Sequence, residues 1–284
     1  MPLTPSETRK LLERLDHRPR KPLGQNFLID GNIVRKSLQL AGLKEGDTVL
    51  EIGPGLGTLT GAMLEAGCVV YAVELDNRLT RYLRETLSNR FPDTFHLMEG
   101  DAVKFPRAGL PLSTENIKIV ANLPYAITTP WLEAVLTSPL PEQMVLMMQK
   151  EAADRITAQP GSKAYGAISI FIGAAYEKAG LHPVSRTCFY PVPGVDSLLL
   201  HLKRKENAVL FNGESRTLIR QLFTRRRKQM GSLLQGEAGL SAWLDRLEAF
   251  GCTRKDRPET IPLEAWLDLD SCLRSMPISG EKPA

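Results

Sequence analysis

A glycine-rich turn follows an apolar, β-branched segment in the first third of the chain. The predicted strand Thr48–Ile52 (TVLEI) is followed by Gly53-Pro54-Gly55-Leu56-Gly57. Glycines here permit a tight turn and let a ligand approach the backbone beside the N-terminus of the next helix. Loops of this kind occur in many ligand-binding families, so the loop predicts a site without identifying its ligand.

Acidic residues lie at the ends of the next two predicted strands. Glu74 comes 21 residues after Gly53, where its carboxylate could accept hydrogen bonds from two ribose hydroxyls and would repel a 2′-phosphate. Asp101 follows the next strand and could accept a hydrogen bond from an adenine amine. Either acid alone is more simply explained as a turn or capping residue. Together with Gly53 and Gly55, they favour a nucleoside site at the carboxyl edge of a parallel sheet.

A third motif, Asn122-Leu123-Pro124-Tyr125, follows a predicted strand at 117–121. The Asn122 side-chain oxygen and the Leu123 carbonyl could accept the two hydrogens of an exocyclic amine, which would aim its nitrogen lone pair for methyl transfer. Pro124 restricts the turn, and Tyr125 offers a ring on which a base can stack. By itself the motif is equally compatible with a polar strand-to-helix turn.

In combination, these motifs resemble those of the rRNA adenine N6-dimethyltransferase family. The resemblance rests on the glycine loop, on Asn122–Tyr125 and on Gly24-Gln25-Asn26-Phe27-Leu28, and it extends from about Lys21 through Pro258. It implies an enzyme with a Rossmann-like α/β sheet that uses S-adenosylmethionine, releases S-adenosylhomocysteine and needs no metal. The implied substrate is a pair of adjacent adenines of 16S rRNA, in a precursor of the small ribosomal subunit, which are dimethylated at N6.

The resemblance also assigns roles that local spacing does not. The implied cofactor contacts are Asn26, Leu28, Gly53, Gly55, Glu74, Asp101 and Asn122. Phe189, in the proline-rich segment Cys188–Pro193, is implied to lie against the target base opposite Tyr125, although composition alone favours a core aromatic residue. Gly194 departs from the family pattern, which commonly has a basic or polar residue at that position.

Positive charge is concentrated towards the two ends of the chain. Residues 203–257 hold thirteen Lys/Arg against six Asp/Glu, and residues 1–36 hold eight against four, although the net charge of the whole chain is only +4. This asymmetry suggests a polyanionic partner whose binding releases counterions, while solvated surfaces explain the charge alone equally well. The run Arg225-Arg226-Arg227-Lys228 predicts a helix end that faces RNA phosphates.

Strands and helices alternate up to about residue 204, and only helices are predicted after it. The predicted strands are Thr48–Ile52, Val69–Val73, Thr94–Met98, Ile117–Ala121 and Met144–Met148, with Glu177–Val184 and Val195–Leu202 antiparallel at the sheet edge. The predicted C-terminal helices are Ser215–Phe223, Arg226–Leu234, Ser241–Phe250 and Pro262–Leu273. This alternation indicates a parallel sheet covered by helices on both faces. We therefore predict a methyltransferase domain over residues 1–204, with an N-terminal helical extension, and a small all-α RNA-binding domain over residues 205–284.

Composition limits the class of protein. Apolar residues make up 43% of the chain and charged residues 24%, as in ordinary globular proteins. The longest uncharged stretch, Ile119–Leu132, is too short for a membrane-spanning helix, and the N-terminus lacks the apolar run of a secretory signal. The cysteines show no C-x-x-C spacing. We expect a cytoplasmic protein with no membrane partner that is, by default, a monomer.

Three other functions stay open at this level. An enzyme of the macrolide-resistance type, acting on one adenine of 23S rRNA, would share the motifs, although such relatives typically have Ile where this chain has Leu123. A non-catalytic RNA-binding assembly factor could share the fold but would not need Asn122, Tyr125 and Glu74. An NAD-dependent dehydrogenase, which would bind a pyrophosphate at the helix N-terminus, is compatible with the glycine loop alone.

Overall fold

The computed structural model describes residues 3–20, 24–137 and 139–275. They form two compact units, the first made of the residues up to 153 together with 176–206, and the second of 154–175 together with the residues from 207 onward. The second boundary lies within two residues of the predicted change at 204. Residues 154–175, which the sequence places in the first domain, group with the C-terminal helices instead.

A mixed seven-stranded sheet forms the first unit. Its strands are β2 (Thr48–Ile52), β3 (Val69–Glu74), β4 (Phe95–Glu99), β5 (Lys118–Asn122), β6 (Gln143–Gln149), β7 (Tyr176–Val184) and β9 (Ser197–Arg204). Their order is β4-β3-β2-β5-β6-β9-β7, and β9 is antiparallel to both β6 and β7. The predicted parallel sheet and the two strands predicted at its edge are confirmed, but only β9 runs antiparallel to the rest. Because β7 is antiparallel to β9, it is parallel to β6 and to the other strands.

The remaining elements of the first unit precede, follow or connect these strands. They are α1 (Pro5–Arg14), β1 (Phe27–Leu28), α2 (Gly31–Leu40), α3 (Thr58–Glu65), α4 (Asn77–Leu83), α5 (Thr128–Val135) and β8 (Phe189–Tyr190), and β1 pairs with β8. The helix α6 (Lys150–Ile156) contains the boundary between the two units. Helix α1 begins with a capping box, since the Glu7 N–H donates to Thr4 Oγ1 and the Thr4 N–H donates to Glu7 Oε2.

The central strands β5 and β6 are buried along nearly their whole length. Continuous apolar runs such as Val145–Met148 are characteristic of strands that helices cover on both faces. The chain enters the sheet at β2, proceeds to β3 and β4 on one side, and returns to β5 and β6 on the other. The carboxyl ends of β2 and β5 therefore flank a topological switch point, where open α/β sheets bind their ligands.

The second unit is helical. It contains α7 (Ala167–Ala175), α8 (Gly213–Thr224), α9 (Met230–Leu233), α10 (Ser241–Arg246) and α11 (Leu263–Ser275). Trp243 and Trp266 are almost fully buried, and their ring centroids lie 6.1 Å apart. Among the described residues, no helix combines the length and apolar character needed to cross a membrane.

The predicted helix over Arg226–Leu234 is wrong in its first half. Residues 225–228 form a turn, closed by a hydrogen bond from the Lys228 N–H to the Arg225 carbonyl, and the helix starts only at Met230. The Met230 N–H donates to the Asp256 carbonyl instead of to a preceding turn of helix. Pairing with a distant loop therefore overrides the local helical pattern here.

Candidate functional site

One cleft at the carboxyl edge of the sheet collects most of the residues singled out by the sequence. The glycine loop after β2, the end of β3, the turn after β4, the end of β5 and the segment 24–28 all line it. The predicted residues present in its wall are Asn26, Leu28, Gly53, Gly55, Glu74, Asp101, Asn122 and Pro124. The parallel register accounts for this meeting, because it brings the carboxyl ends of β2, β3 and β5 to the same edge.

The glycine loop lies directly against the Asn122–Tyr125 turn. Gly53 donates its N–H to the Val73 carbonyl over 3.0 Å and has a φ of +65°. A Cβ built on Gly53 would lie 3.1 Å from Pro124 Cγ. A side chain at this position would therefore be strained and would press on the turn that carries Asn122.

Main-chain donors hold the Glu74 carboxylate. Its Oε2 accepts from the Gly55 N–H over 3.0 Å, and its Oε1 accepts from the Asp76 N–H over 2.9 Å. Burial raises the pKa of Glu74 above its ordinary value, while these hydrogen bonds act in the opposite direction. Each oxygen can accept a second hydrogen bond, so the side chain is placed to receive two hydroxyl groups.

Glu51 lies deeper in the same cleft. It is 2% exposed and accepts a 2.6 Å hydrogen bond from Thr60 Oγ1. Burial, with a further contribution from the nearby Glu74, raises the pKa of Glu51 to about 8, although the bond from Thr60 lowers it. Glu51 precedes Gly53 by two residues, and this position near the end of β2 is the signal in the sequence that could have identified it as a cleft residue.

Asp101 occupies a turn that also faces the cleft. Its Oδ1 accepts a 2.9 Å hydrogen bond from the Val103 N–H, as the turn interpretation of this residue predicts. Its second oxygen accepts no hydrogen bond from the described residues. The turn and the cleft position are therefore both observed, and they are compatible with each other.

The charge of the wall restricts the ligand. Three carboxyl groups, those of Glu51, Glu74 and Asp101, line the cleft, and the described part of the wall contains no Lys, Arg or His. A pyrophosphate would find no cationic side chain in the described wall and would be repelled by ionised carboxylates, whereas a cationic ligand would be stabilised. Within the described ranges, no group of three or more His, Cys, Asp or Glu residues is arranged to hold a metal ion.

The Asn122 amide is oriented by the segment that precedes β1. Its Nδ2 donates to the Asn26 main-chain oxygen over 2.9 Å. A carbonyl oxygen can only accept, so the amide nitrogen must face Asn26, and Oδ1 remains available on the other side. Leu123 donates its N–H to the Met147 carbonyl, its side chain is buried, and its own carbonyl receives no hydrogen bond from the described residues.

Tyr125 is fixed at both ends of the turn. The Pro124 carbonyl accepts from the Ile127 N–H over 3.1 Å, which closes a tight turn around Tyr125. The Tyr125 hydroxyl lies 2.9 Å from Ser197 Oγ, on β9. Burial raises the pKa of Tyr125, so the phenol is neutral at physiological pH. The contact with Ser197 holds the half-buried ring in one orientation.

Phe189 has a different environment from the one expected. Its ring is 1% exposed and packs in the core with Leu28, Val34 and Val184. The pairing of β1 with β8 places Phe189 opposite Leu28. In this conformation no face of the Phe189 ring is open to a base, and the ring instead supports the segment that lines the cleft.

The basic run lies in the second unit and is not uniform. Arg225, Arg227 and Lys228 are exposed, whereas Arg226 donates from Nε to Glu259 Oε2 over 2.6 Å and from its guanidinium to the Lys163 carbonyl. Main-chain hydrogen bonds from Met230 and Gly231 attach a second loop, residues 254–257, beside this turn.

That second loop contributes two more exposed cations, Lys255 and Arg257. The sequence did not connect them with residues 225–228, because 27 positions separate Lys228 from Lys255. We call the set Arg225, Arg227, Lys228, Lys255 and Arg257 the basic surface. Its five exposed cations lie on the two segments beside the ion pair of Arg226 with Glu259.

Comparison with known families gives one extended match. The family model described as "Ribosomal RNA adenine dimethylase" matches residues 16–268. A protein of Opitutus terrae named "Ribosomal RNA small subunit methyltransferase A" is 58% identical over 270 residues, which cover 94% of this chain and 97% of that protein. A protein of the same name from Moorella thermoacetica is 40% identical, covering 95% and 98% of the two chains.

Solved structures agree with this match. A dimethyladenosine transferase from Plasmodium falciparum superposes with a TM-score of 0.69 at 27% identity, covering 86% of this chain and 95% of that one. The 23S rRNA methyltransferase ErmE superposes with a TM-score of 0.62 at 26% identity, covering 88% of this chain and all of that one. Both likenesses extend over most of the described residues.

Proposed function

The chain belongs to the ribosomal RNA adenine dimethylase family, and we propose that it transfers methyl groups from S-adenosylmethionine to N6 of two adjacent adenines in the 16S rRNA of the small ribosomal subunit. Relatives named for the small subunit match nearly the whole chain at 58% and 40% identity, against 26% for the 23S rRNA enzyme. Leu123, where the 23S-type motif typically has Ile, favours the same substrate.

The wall of the cleft supports S-adenosylmethionine as the methyl donor. Glu74 would accept hydrogen bonds from the ribose hydroxyls and Asp101 from the adenine amine, and these two carboxylates would favour the donor's positive charges. When bound, S-adenosylmethionine supplies a methyl group on a cationic sulfur. The absence of any cation from the described wall is the observation that disfavours a dinucleotide.

The observation that carries the catalytic proposal is the hydrogen bond between Asn122 and Asn26. It leaves Asn122 Oδ1 available as an acceptor at the end of β5, beside the Leu123 carbonyl, which receives no hydrogen bond from the described residues. These oxygens would hold the two N6 hydrogens of the target adenine and stabilise the positive charge that develops on nitrogen. Tyr125 would stack on the base, so catalysis consists mainly of positioning and fixed dipoles.

The second unit would bind the RNA. Its basic surface is placed on turns and loops, where long cationic side chains can reach phosphate groups. Arg226, which the sequence assigns to RNA binding with its neighbours, already pairs with Glu259, so we assign it to holding this turn in place. We therefore assign methyl transfer to the first unit and RNA binding chiefly to the second, in a protein that acts as a monomer on a cytoplasmic subunit precursor.

A methylation assay with two substrates tests this function. Small subunits that lack the adenine methylation should accept labelled methyl groups, and mass spectrometry of the rRNA should find N6,N6-dimethyladenine at two adjacent positions. Naked 23S rRNA is the competing substrate. Transfer to 23S rRNA alone would refute the small-subunit assignment, and binding to subunits without any transfer would instead favour a non-catalytic assembly factor.

A further inference from the structure

A buried polar junction joins the N-terminal segment to the turn after β3. His17 Nε2 lies 3.0 Å from Asp76 Oδ2, and the two side chains are only 2% and 1% exposed. Gln25 Nε2 donates to the same oxygen over 3.3 Å. We call these three side chains the Asp76 junction. It brings together residues from two parts of the chain that are 51 and 59 positions apart.

The junction is connected to the cleft through Glu74. The Asp76 N–H donates to Glu74 Oε1 over 2.9 Å, and Asp76 Oδ1 caps α4 by accepting from the Arg78 N–H over 3.0 Å. A displacement of Asp76 would therefore disturb the carboxylate that faces the cleft and the start of α4 together. Asp76 itself does not line the cleft, so its hydrogen bond with His17 acts on the ligand site through the neighbouring Glu74 and Gln25, which do.

Hydrogen bonds keep the Asp76 carboxyl group ionised despite its burial. Burial alone would raise the pKa of Asp76, but hydrogen bonds from His17, Gln25 and the Arg78 N–H, together with the electrostatic attraction of His17, outweigh burial and keep the pKa below its ordinary value. Asp76 is thus a buried anion that depends on its donors. The His17 ring also contacts Phe27 edge-on at 6.2 Å, so its shape contributes separately from its N–H.

We propose that His17 is a positioning residue for the methyl donor, because it fixes Asp76 and, through it, the Glu74 carboxylate. The inference rests on the proposed function, since it takes the ribose of the donor as the ligand of Glu74. His17 would therefore influence ligand affinity without touching the ligand.

Three variants separate hydrogen bonding from packing. His17→Phe keeps an aromatic ring beside Phe27 but removes the donor, whereas His17→Gln places an N–H at the distance of the original Nε2. Asp16→Asn is the matched control, because Asp16 forms an exposed 3.1 Å ion pair with Arg78 between the same two segments. The measurements are calorimetric titration with S-adenosylhomocysteine and turnover at saturating methyl donor.

We expect His17→Phe to weaken S-adenosylhomocysteine binding about tenfold, with turnover at saturating donor little changed. His17→Gln and Asp16→Asn should bind within about twofold of the wild type. Equal affinity of His17→Phe and the wild type would overturn the proposal, as would an equal loss in His17→Phe and His17→Gln.

Two further outcomes are distinguishable. If His17→Phe does not fold, His17→Asn replaces it, because its shorter amide cannot reach Asp76 from the position of Nε2, and equal binding by His17→Asn and His17→Gln would overturn the proposal. If the wild-type protein itself does not bind S-adenosylhomocysteine, the proposed function fails, and not this inference alone.

Discussion

The Asn122 side-chain amide donates to the main-chain oxygen of Asn26 over 2.9 Å, across 96 positions of sequence. This single bond fixes which end of the amide is free. It also connects two parts of the cleft, the segment that lines its wall at 24–28 and the turn that would hold the target adenine. The position of the segment 24–28 therefore contributes to the orientation of the Asn122 side chain.

Removal of the Asn122 amide should reduce methyl transfer far more than it reduces binding of S-adenosylhomocysteine. In Asn122→Ala one of the two acceptors for the N6 hydrogens is removed, and we expect turnover to fall by at least about 100-fold. Methyl transfer to unmethylated small subunits measures this, with S-adenosylhomocysteine titration in parallel. Asn89→Ala is the control and should be fully active, because it removes an exposed amide that, among the described residues, donates to the nearby Glu85 carbonyl alone. Retained activity in Asn122→Ala would contradict the role given to this residue.

Gly24 should be required for the geometry of the Asn122–Tyr125 turn. Its φ is +62°, and a Cβ there would lie 2.9 Å from the Tyr125 main-chain nitrogen. Gly24→Ala is therefore expected to displace the turn and to reduce turnover roughly 100-fold. Gly42→Ala is a matched control, because Gly42 has a φ of +50° but no described atom within 4 Å of the added Cβ. If both variants lose activity equally, backbone strain and not contact with Tyr125 is the cause.

Glu51 should make stability depend on pH. The folded protein keeps this carboxyl group protonated up to a pKa of about 8, whereas the unfolded chain releases the proton near pH ~4.3. The contribution to stability is thus complete below the unfolded pKa and is lost as the pH rises towards the folded pKa. Melting temperatures of the wild type and Glu51→Gln, measured from about pH 5 to 8.5, should diverge, with the wild type losing more. Parallel curves would show that Glu51 is ionised in the folded protein.

The basic surface should determine the salt dependence of subunit binding. Reversal of Arg225, Arg227 and Lys228 to Glu should weaken binding and flatten its dependence on salt, by about 0.9 in the log–log slope for each phosphate that the variant no longer neutralises. Arg226→Ala should leave that slope unchanged and lower only the melting temperature, since Arg226 pairs with Glu259. Binding to small subunits over a salt series separates the two effects. A slope that is flat already in the wild type would exclude an electrostatic interface.

Phe189→Ala should act first on stability. The ring is 1% exposed in the core, so its removal leaves a cavity and should cost about 3–5 kcal/mol of unfolding free energy. Denaturant unfolding measures this cost, and S-adenosylhomocysteine titration shows whether the neighbouring Leu28 segment is also loosened. A variant as stable as the wild type would show that the ring is exposed in solution, as expected for a base-stacking residue.

Local patterns were sufficient to locate the seven strands of the large sheet, but not the short pair of β1 and β8. Strand and helix alternation predicted the sheet from Thr48 to Leu202, and the spacing of Thr4 and Glu7 is the capping-box pattern that marks the start of α1. These signals are short in range, because apolar periodicity and side-chain caps act within a few residues. The same kind of signal failed at Arg226–Leu234, where Glu259 and Asp256 pair with that segment from a distant loop.

The sequence by itself determined which chemical groups stand at the strand ends, namely Gly53, Glu74, Asp101 and Asn122, because a parallel sheet brings those ends to one edge. Only the tertiary structure decided how they are held: Asn122 by Asn26, and Glu74 by Gly55 and Asp76. It also buried Phe189 and joined His17 to Asp76. Contacts between residues far apart in the chain depend on packing, so neither residue type nor spacing predicts them.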